Sequence, residues 1–274
     1  MATLRSEALI LRSVDFGESD RILHLLVPDQ GRLTVIAKGA RRSLKRFSGT
    51  LDLFNHLSVQ VEGRRRNSMA RLEQARLLRG FAPLRVDPMR FALGCYLLEL
   101  LDRLTPEGGV RSDMQQLFAF ALDALRWVAA RAPDLTQRTI LELRALDALG
   151  LCPELRDCVR CKREVGGEGE VAFHIAEGGP LCGTCSVPQE GLLGVHIGTL
   201  RTLQQGLRLD LDVIDRLGMG PGALAEARRL VTRLQHFHVG MTLQSERFLD
   251  RLFRESGAFP LPAETASSDR FPAA

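Results

Sequence analysis

The sequence predicts a multidomain α+β chain: a small N-terminal β-barrel, then an all-helical domain that carries an inserted four-cysteine module. Three observations carry that prediction. Five short runs with strand-like patterning fill residues 5–80, with no long helical pattern between them. From Asp87 the apolar spacing changes to the helical period. Between helical stretches stand two tight cysteine pairs, Cys158-Val159-Arg160-Cys161 and Cys182-Gly183-Thr184-Cys185. The expected boundaries are 1–80 for the barrel, 81–255 for the helical domain with its module at about 152–190, and 256–274 for a disordered, proline-bearing tail.

The strands follow from alternation and turn chemistry. Ala8 to Val14 is an apolar run that ends in Asp15-Phe16-Gly17-Glu18-Ser19-Asp20. Arg21 to Val27 is stopped by Pro28-Asp29-Gln30-Gly31, a strong turn signal. In Arg32 to Ala37, Leu33, Val35 and Ala37 alternate with Arg32, Thr34 and Ile36; Leu51 to Val61 and Met69 to Leu78 supply the fourth and fifth strands. Five such strands suit an OB-fold, whose face and loops bind oligonucleotides. An SH3-like barrel has a similar strand count, and the pattern alone does not separate the two.

Charge is unevenly divided. Residues 1–80 hold fifteen Lys and Arg against eight Asp and Glu, whereas the remainder of the chain is slightly acidic. Such asymmetry points to an anionic partner for the first part. The excess concentrates in Lys38, Arg41, Arg42, Lys45 and Arg46, directly after the third strand, and in Arg64, Arg65 and Arg66 at the turn before the fifth. A planar guanidinium matches phosphate oxygens, so these clusters suit a nucleic-acid backbone and imply no base readout. The plainer alternative is a solvated surface that keeps the protein soluble. Aromatics make up only 5% of the chain, too few for binding that relies on base stacking.

Asp87-Pro88 opens the first helix, in which Phe91, Leu93, Leu97, Leu98, Leu101 and Leu104 leave most sides apolar and make Cys95 a core thiol. Ser112-Asp113-Met114-Gln115 reads as a capping box ahead of a stripe of Leu117, Ala121, Leu125 and Val128. Ile140, Leu143, Leu146 and Leu149 form a third stripe, ended by Gly150 and Pro153. After the cysteines come a short helix at Thr199–Leu207 and a longer one from Gly220-Pro221, which Gly240 ends. His236 and His238 sit on the latter as ordinary helix residues.

Two thiols on one tight turn, answered by two on another, can face a common point as a tetrahedral Zn²⁺ site requires. Lys162 to Leu181, rich in glycine, read as the loop between them. Disulfides suit small secreted chains, and the amino terminus has no signal-peptide core. A zinc deaminase needs H-x-E and then P-C-x-x-C; here His174 and Glu177 are H-x-x-E, and Pro180 stands one residue too far from Cys182. Four thiolates leave no position for water, so Cys158, Cys161, Cys182 and Cys185 read as a structural site with Cys152 outside it. No run of about 18 apolar residues occurs, which with reduced thiols reads as a cytoplasmic protein. No nucleophile–base arrangement and no phosphate-binding glycine loop is evident, so the chain reads as a non-enzyme.

Several segments, in order, resemble the bacterial RecO family of recombination mediators. They are Phe16-Gly17-Glu18-Ser19-Asp20-Arg21-Ile22-Leu23, Gly31 to Arg42, Arg46 to Phe54, Leu149 to Leu155 leading into the first cysteine pair, and Gln244-Ser245-Glu246-Arg247-Phe248-Leu249. The resemblance implies an N-terminal OB-fold and a nucleoid-associated protein that binds single- and double-stranded DNA, anneals strands and helps load recombinase onto DNA coated by single-strand-binding protein (SSB). It implies RecR and the acidic C-terminal tail of SSB as partners. It places DNA contacts on Lys38, Arg41, Arg42, Lys45 and Arg46, while Arg64 to Arg66 rest on charge alone. For the SSB tail, Arg138 resembles a basic position of the family, and Arg126 on the preceding helix is added by charge. The competing class is a zinc-bearing, RNA-binding interaction protein of transcription or translation.

Overall fold

The computed structural model describes residues 3–43, 46–47, 49–63, 69–131, 133–187 and 191–256. By contact density the chain forms two compact units. One runs to Pro133 and includes Ala148–Gly150 and Leu243–Leu249; the other takes Asp134–Asp147, Leu151–Thr242 and the segment from Asp250.

In the first unit five strands appear where alternation puts them: β1 (Thr3–Phe16), β2 (Asp20–Val27), β3 (Gly31–Ala37), β4 (Asn55–Glu62) and β5 (Ala70–Gly80). The pairing order β1-β2-β3-β5-β4 returns to β1 and closes a barrel. All ladders are antiparallel except the short β3–β5 seam, where Val35 and Ile36 meet Ala70 and Arg71. A register shift between Ile10 and Arg12 marks where β1 leaves β4 and continues along β2 alone. The inward set, Ala8, Ile10, Leu23, Leu25, Val35, Leu57, Val59 and Leu72, is buried as one core.

The fourth strand begins at Asn55, not at Leu51. Phe54 takes a left-handed backbone, φ +66°, which breaks the extended run. Leu51 is nevertheless 2% exposed, so its apolar signal was one of burial without pairing.

After the barrel this unit continues with α1 (Pro83–Val86), α2 (Pro88–Leu104) and α3 (Arg111–Ala130). Asp87 caps α2 as expected, its carboxylate accepting from the Arg90 N–H at 2.8 Å. A His24–Asp102 contact of 2.6 Å ties α2 to the barrel. Ser112 does not cap α3; the cap position lies two residues earlier, at Val110. The Ser112 hydroxyl turns to Asp113 instead. Burial of Met114 between Gly31 and Gly109 fixes that start; a Cβ on Gly31 would lie 2.8 Å from its sulfur.

The second unit opens with α4 (Leu135–Ala148). A reciprocal box does occur here: Gln137 N–H donates to Asp134 Oδ1, and Asp134 N–H donates to Gln137 Oε1. Then come β6 (Glu170–His174), β7 (Gly179–Leu181) and β8 (Leu192–His196), a small sheet ordered β7-β6-β8. The span Lys162 to Leu181, expected as loop, therefore holds two strands. Helices α5 (Ile197–Arg208) and α6 (Pro221–Val239) follow, and Gly240 ends α6 at φ +74° as its position predicts. The last described helix is α7 (Gln244–Glu255). Among the described residues no helix is long and apolar enough to cross a membrane.

Candidate metal centre and nucleic-acid interface

The first cysteine pair sits on a hairpin turn. Cys158 N–H donates to Arg163 O, Lys162 N–H donates back to Cys158 O, and Lys162 adopts φ +60° to close the bend. The Glu154 carboxylate accepts from the N–H groups of Leu155, Arg156 and Asp157 and sets the approach. The second pair follows β7, with Cys185 and Ser186 N–H both donating to Cys182 O. Val159 N–H donates to Pro180 O and holds the two turns together. Gly179 is required at that junction, because a Cβ there would come within 2.3 Å of Val159 and 2.9 Å of Glu154.

The four sulfurs consequently lie within 4.8 Å of one another, with Cys161 Sγ and Cys182 Sγ 3.5 Å apart. Bonds of about 2.3 Å to a central ion give a tetrahedron with edges of about 3.8 Å, so the set fits a metal ion. All six cysteines are free thiols, and 3.5 Å is far from a disulfide bond. Cys152 stands outside the cluster, its thiol pushed up to about 12 by burial and then by Asp147. Cys95 is half-buried, raised to about 11 by burial.

Electrostatics prepare the cluster for a cation. The Thr184 hydroxyl, 3.4 Å away, is the main cause that lowers Cys182 to about 6. Burial pushes Cys158 up, but backbone N–H groups of Cys161, Cys182 and Arg160 outweigh it and bring it below the usual thiol range. Hydrogen bonds to Cys182 and then Cys161 push Cys185 up to about 12. Four thiolates at this spacing repel one another until a divalent cation joins them. Two arginines help from outside. Arg163 is held cationic by its bond to Cys161 and then by the Cys161 and Cys182 charges; Arg160 pairs Glu177 at 2.6 Å and donates to Cys185 O at 3.0 Å.

On the barrel, the basic segment folds back over the β1–β2 turn. Lys38 Nζ lies 2.6 Å from Asp20, which also accepts from Gly39 N–H at 2.8 Å. Arg41 pairs Asp15 at 3.3 Å, Arg42 pairs Glu18 at 3.5 Å, and Arg46 donates to Lys38 O at 2.7 Å. The structure thus gathers Lys38, Arg41, Arg42 and Arg46 on one exposed edge, each beside an acceptor from the chain itself. Lys45 and Arg64, Arg65 and Arg66 lie outside the described residues, as does the expected tail apart from Ser256.

The two arginines considered for a peptide carboxylate differ sharply. Arg126 is exposed on α3 and, among the described residues, pairs with Asp123 of its own helix at 2.6 Å. Arg138 is 1% exposed and donates to Glu142 and Asp250; Arg228 closes the set by donating to Glu142. Glu142 lies one helical turn from Arg138, a spacing visible in the sequence, but Arg228 and Asp250 come from 86 and 112 positions away, which no spacing announces.

Comparison with known proteins gives matches along most of the chain. The family description "Recombination protein O N terminal" matches residues 1–81, and "Recombination protein O C terminal" matches residues 85–247. A protein named "DNA repair protein RecO" from Anaeromyxobacter sp. (strain K) is 36% identical over 252 residues, 92% of this chain and 98% of the relative. Those of the same name from Myxococcus xanthus (strain DK1622) and Moorella thermoacetica are 34% and 32% identical. They cover 89% and 90% of this chain, and 95% and 91% of their own lengths.

Proposed function

The chain belongs to the RecO family of DNA repair proteins, and on that footing we propose that it acts in homologous recombination as a mediator without bond chemistry of its own. It binds single- and double-stranded DNA, brings complementary strands together and helps load recombinase onto SSB-coated DNA. The barrel is an OB-fold on this reading, a form its five-stranded closure supports.

The observation that carries the reading is the cationic edge of Lys38, Arg41, Arg42 and Arg46. A phosphate that arrives at Lys38, Arg41 or Arg42 replaces a carboxylate, so one anion is exchanged for another there. Contacts of that type are indifferent to sequence, as joining any complementary pair requires. Scarce aromatics leave the bases free to pair. Lys45 and Arg64 to Arg66 are added to the proposed contacts on charge alone.

Zn²⁺ is the ion that four thiolates at tetrahedral spacing suit best, and one per chain is held by Cys158, Cys161, Cys182 and Cys185. It cross-links the two turns and takes no part in a reaction. RecR and the acidic C-terminal tail of SSB are the protein partners, and the compartment is the cytoplasm at the nucleoid. For the terminal carboxylate of that tail Arg126 is directly reachable, whereas Arg138 must first give up Glu142 and Asp250.

A strand-annealing assay tests the proposal. Two complementary, end-labelled DNA strands should join faster with the full chain than alone, with the gain lost at high salt. No acceleration at low salt overturns the reading, and faster joining of RNA than of DNA favours an RNA-binding protein instead.

A further inference from the structure

The outer face of β1, β4 and β5 carries polar side chains that the Lys38–Arg46 edge does not use. Register sets Arg5 beside Gln60 and Gln60 beside Gln74; in the next outward row, Ser58 stands beside Arg76. Side chains alternate across a strand, so these residues all face away from the buried core. With Arg46 they line a groove of about 610 Å³.

The groove differs from the edge in its charge. None of its lining residues is acidic. Glu7, beside Ser58 in the ladder, is taken by His56 at 2.9 Å; Glu73 is held by Arg71 at 2.8 Å and stands 4.0 Å from Arg46, the one lining arginine with a carboxylate in reach. Among the described residues Arg5 and Arg76 have no carboxylate partner. Three guanidiniums flanked by two amides and a hydroxyl suit phosphate and sugar oxygens. Only Val59 and Ala75 are apolar in the lining, which offers nothing to the side chains of a peptide. Arg46 belongs to both places, because its guanidinium also reaches Lys38 O.

We infer that this groove is a second track for a nucleic-acid backbone, continuous with the Lys38–Arg46 edge through Arg46, so that one barrel holds two strands at once. The inference rests on the nucleic-acid reading of that edge and gives annealing a geometry. Two strands held on adjoining faces of one rigid sheet meet at an effective concentration that free strands lack.

Native mass spectrometry of the full chain with two non-complementary strands counts strands per chain, and energy transfer between their labels gives the affinity for the second. The wild type should carry both. Arg5→Ala/Arg76→Ala should bind the first strand within twofold of wild type. It should capture the second about tenfold more weakly, with a salt slope lower by about 1.4, the loss of two single-strand phosphate contacts. Arg5→Lys/Arg76→Lys should restore most of the capture, and circular dichroism on both variants checks the fold. Unchanged second-strand capture, equal loss of both strands, or an acidic peptide that fills the groove while a second strand does not, each overturns the second track. A wild type that binds no first strand overturns the parent reading instead.

Discussion

In the free protein Arg41 Nε lies 3.3 Å from an Asp15 carboxylate oxygen and Arg42 Nη2 lies 3.5 Å from one of Glu18. On the proposed reading, DNA competes with both. All four side chains are well exposed, from 42% to 91%, and exposed pairs contribute about 0.2–1 kcal/mol each. Releasing the two arginines beforehand therefore changes the binding free energy by about 0.4–2 kcal/mol, a two- to thirty-fold gain in affinity. Asp15→Asn/Glu18→Gln should show that gain in fluorescence anisotropy with a labelled single strand at moderate salt. The fold should tolerate the change, because Arg21 keeps Asp52 at 3.5 Å when Asp15 is neutralised. The opposite variant, Arg41→Ala/Arg42→Ala, should flatten log K against log salt by about 1.4 for single strands and 1.8 for duplex. An acid-neutralised variant that binds no more tightly than wild type, together with an unaltered slope in the arginine variant, would refute this edge as the DNA contact.

Metal analysis of the purified chain should give one zinc per molecule and none in Cys158→Ser/Cys182→Ser, whose amide exchange should rise across residues 152–187; stoichiometric zinc in that variant contradicts the four-thiolate site. Glu142→Ala leaves Arg138 and Arg228 buried without their shared carboxylate, at a cost of about 3–5 kcal/mol. Calorimetry should show a fall in melting temperature of roughly 6–20 °C, and a shift below about 2 °C would mean the set is not held as described. Asp20 is depressed below 3.8, first by the Gly39 N–H and then by Lys38. Its tie to the basic segment is therefore complete above that ordinary value and lost as pH falls through the lowered one. The Gly39 amide resonance should titrate with a midpoint below 3.8 and lose that titration in Asp20→Asn.

Local rules were readable wherever one residue sufficed. Asp87 caps, Gly240 stops a helix and the alternation of β4 buries alternate residues because each effect is confined to a turn or a pleat. The four cysteines were legible for the same reason, as two tight turns that each present two sulfurs. Errors arose where a pattern had two solutions. Ser112 offered a cap, but the burial of Met114 decided where α3 begins. Residues 162–181 looked like loop because glycines hid the short alternation of Val171 and Phe173, which are buried in β6. The acidic partners of the basic segment were present in the turn Asp15 to Asp20, yet only the fold of the hairpin brings them onto the arginines. The groove between Arg5 and Arg76 needed the β1–β4–β5 register, which no spacing along the chain discloses.

The dual partnership of β1 has a consequence in time. Its second half pairs with β2, which follows at once, but Thr3 to Ala8 pair only with β4, whose last residue in the ladder is Glu62. At a synthesis rate of about 5–20 residues/s, the first half of the strand waits about 3–10 s for its neighbour to emerge from the ribosome. Throughout that interval it is an open edge of unpaired N–H and C=O groups, able to pair with another nascent chain. Thr3, Arg5 and Glu7 occupy its outward positions, and a charge of each sign on a waiting edge disfavours its pairing with a copy of itself. The residues that later face solvent on the finished barrel first serve to keep an unfinished one apart from its neighbours.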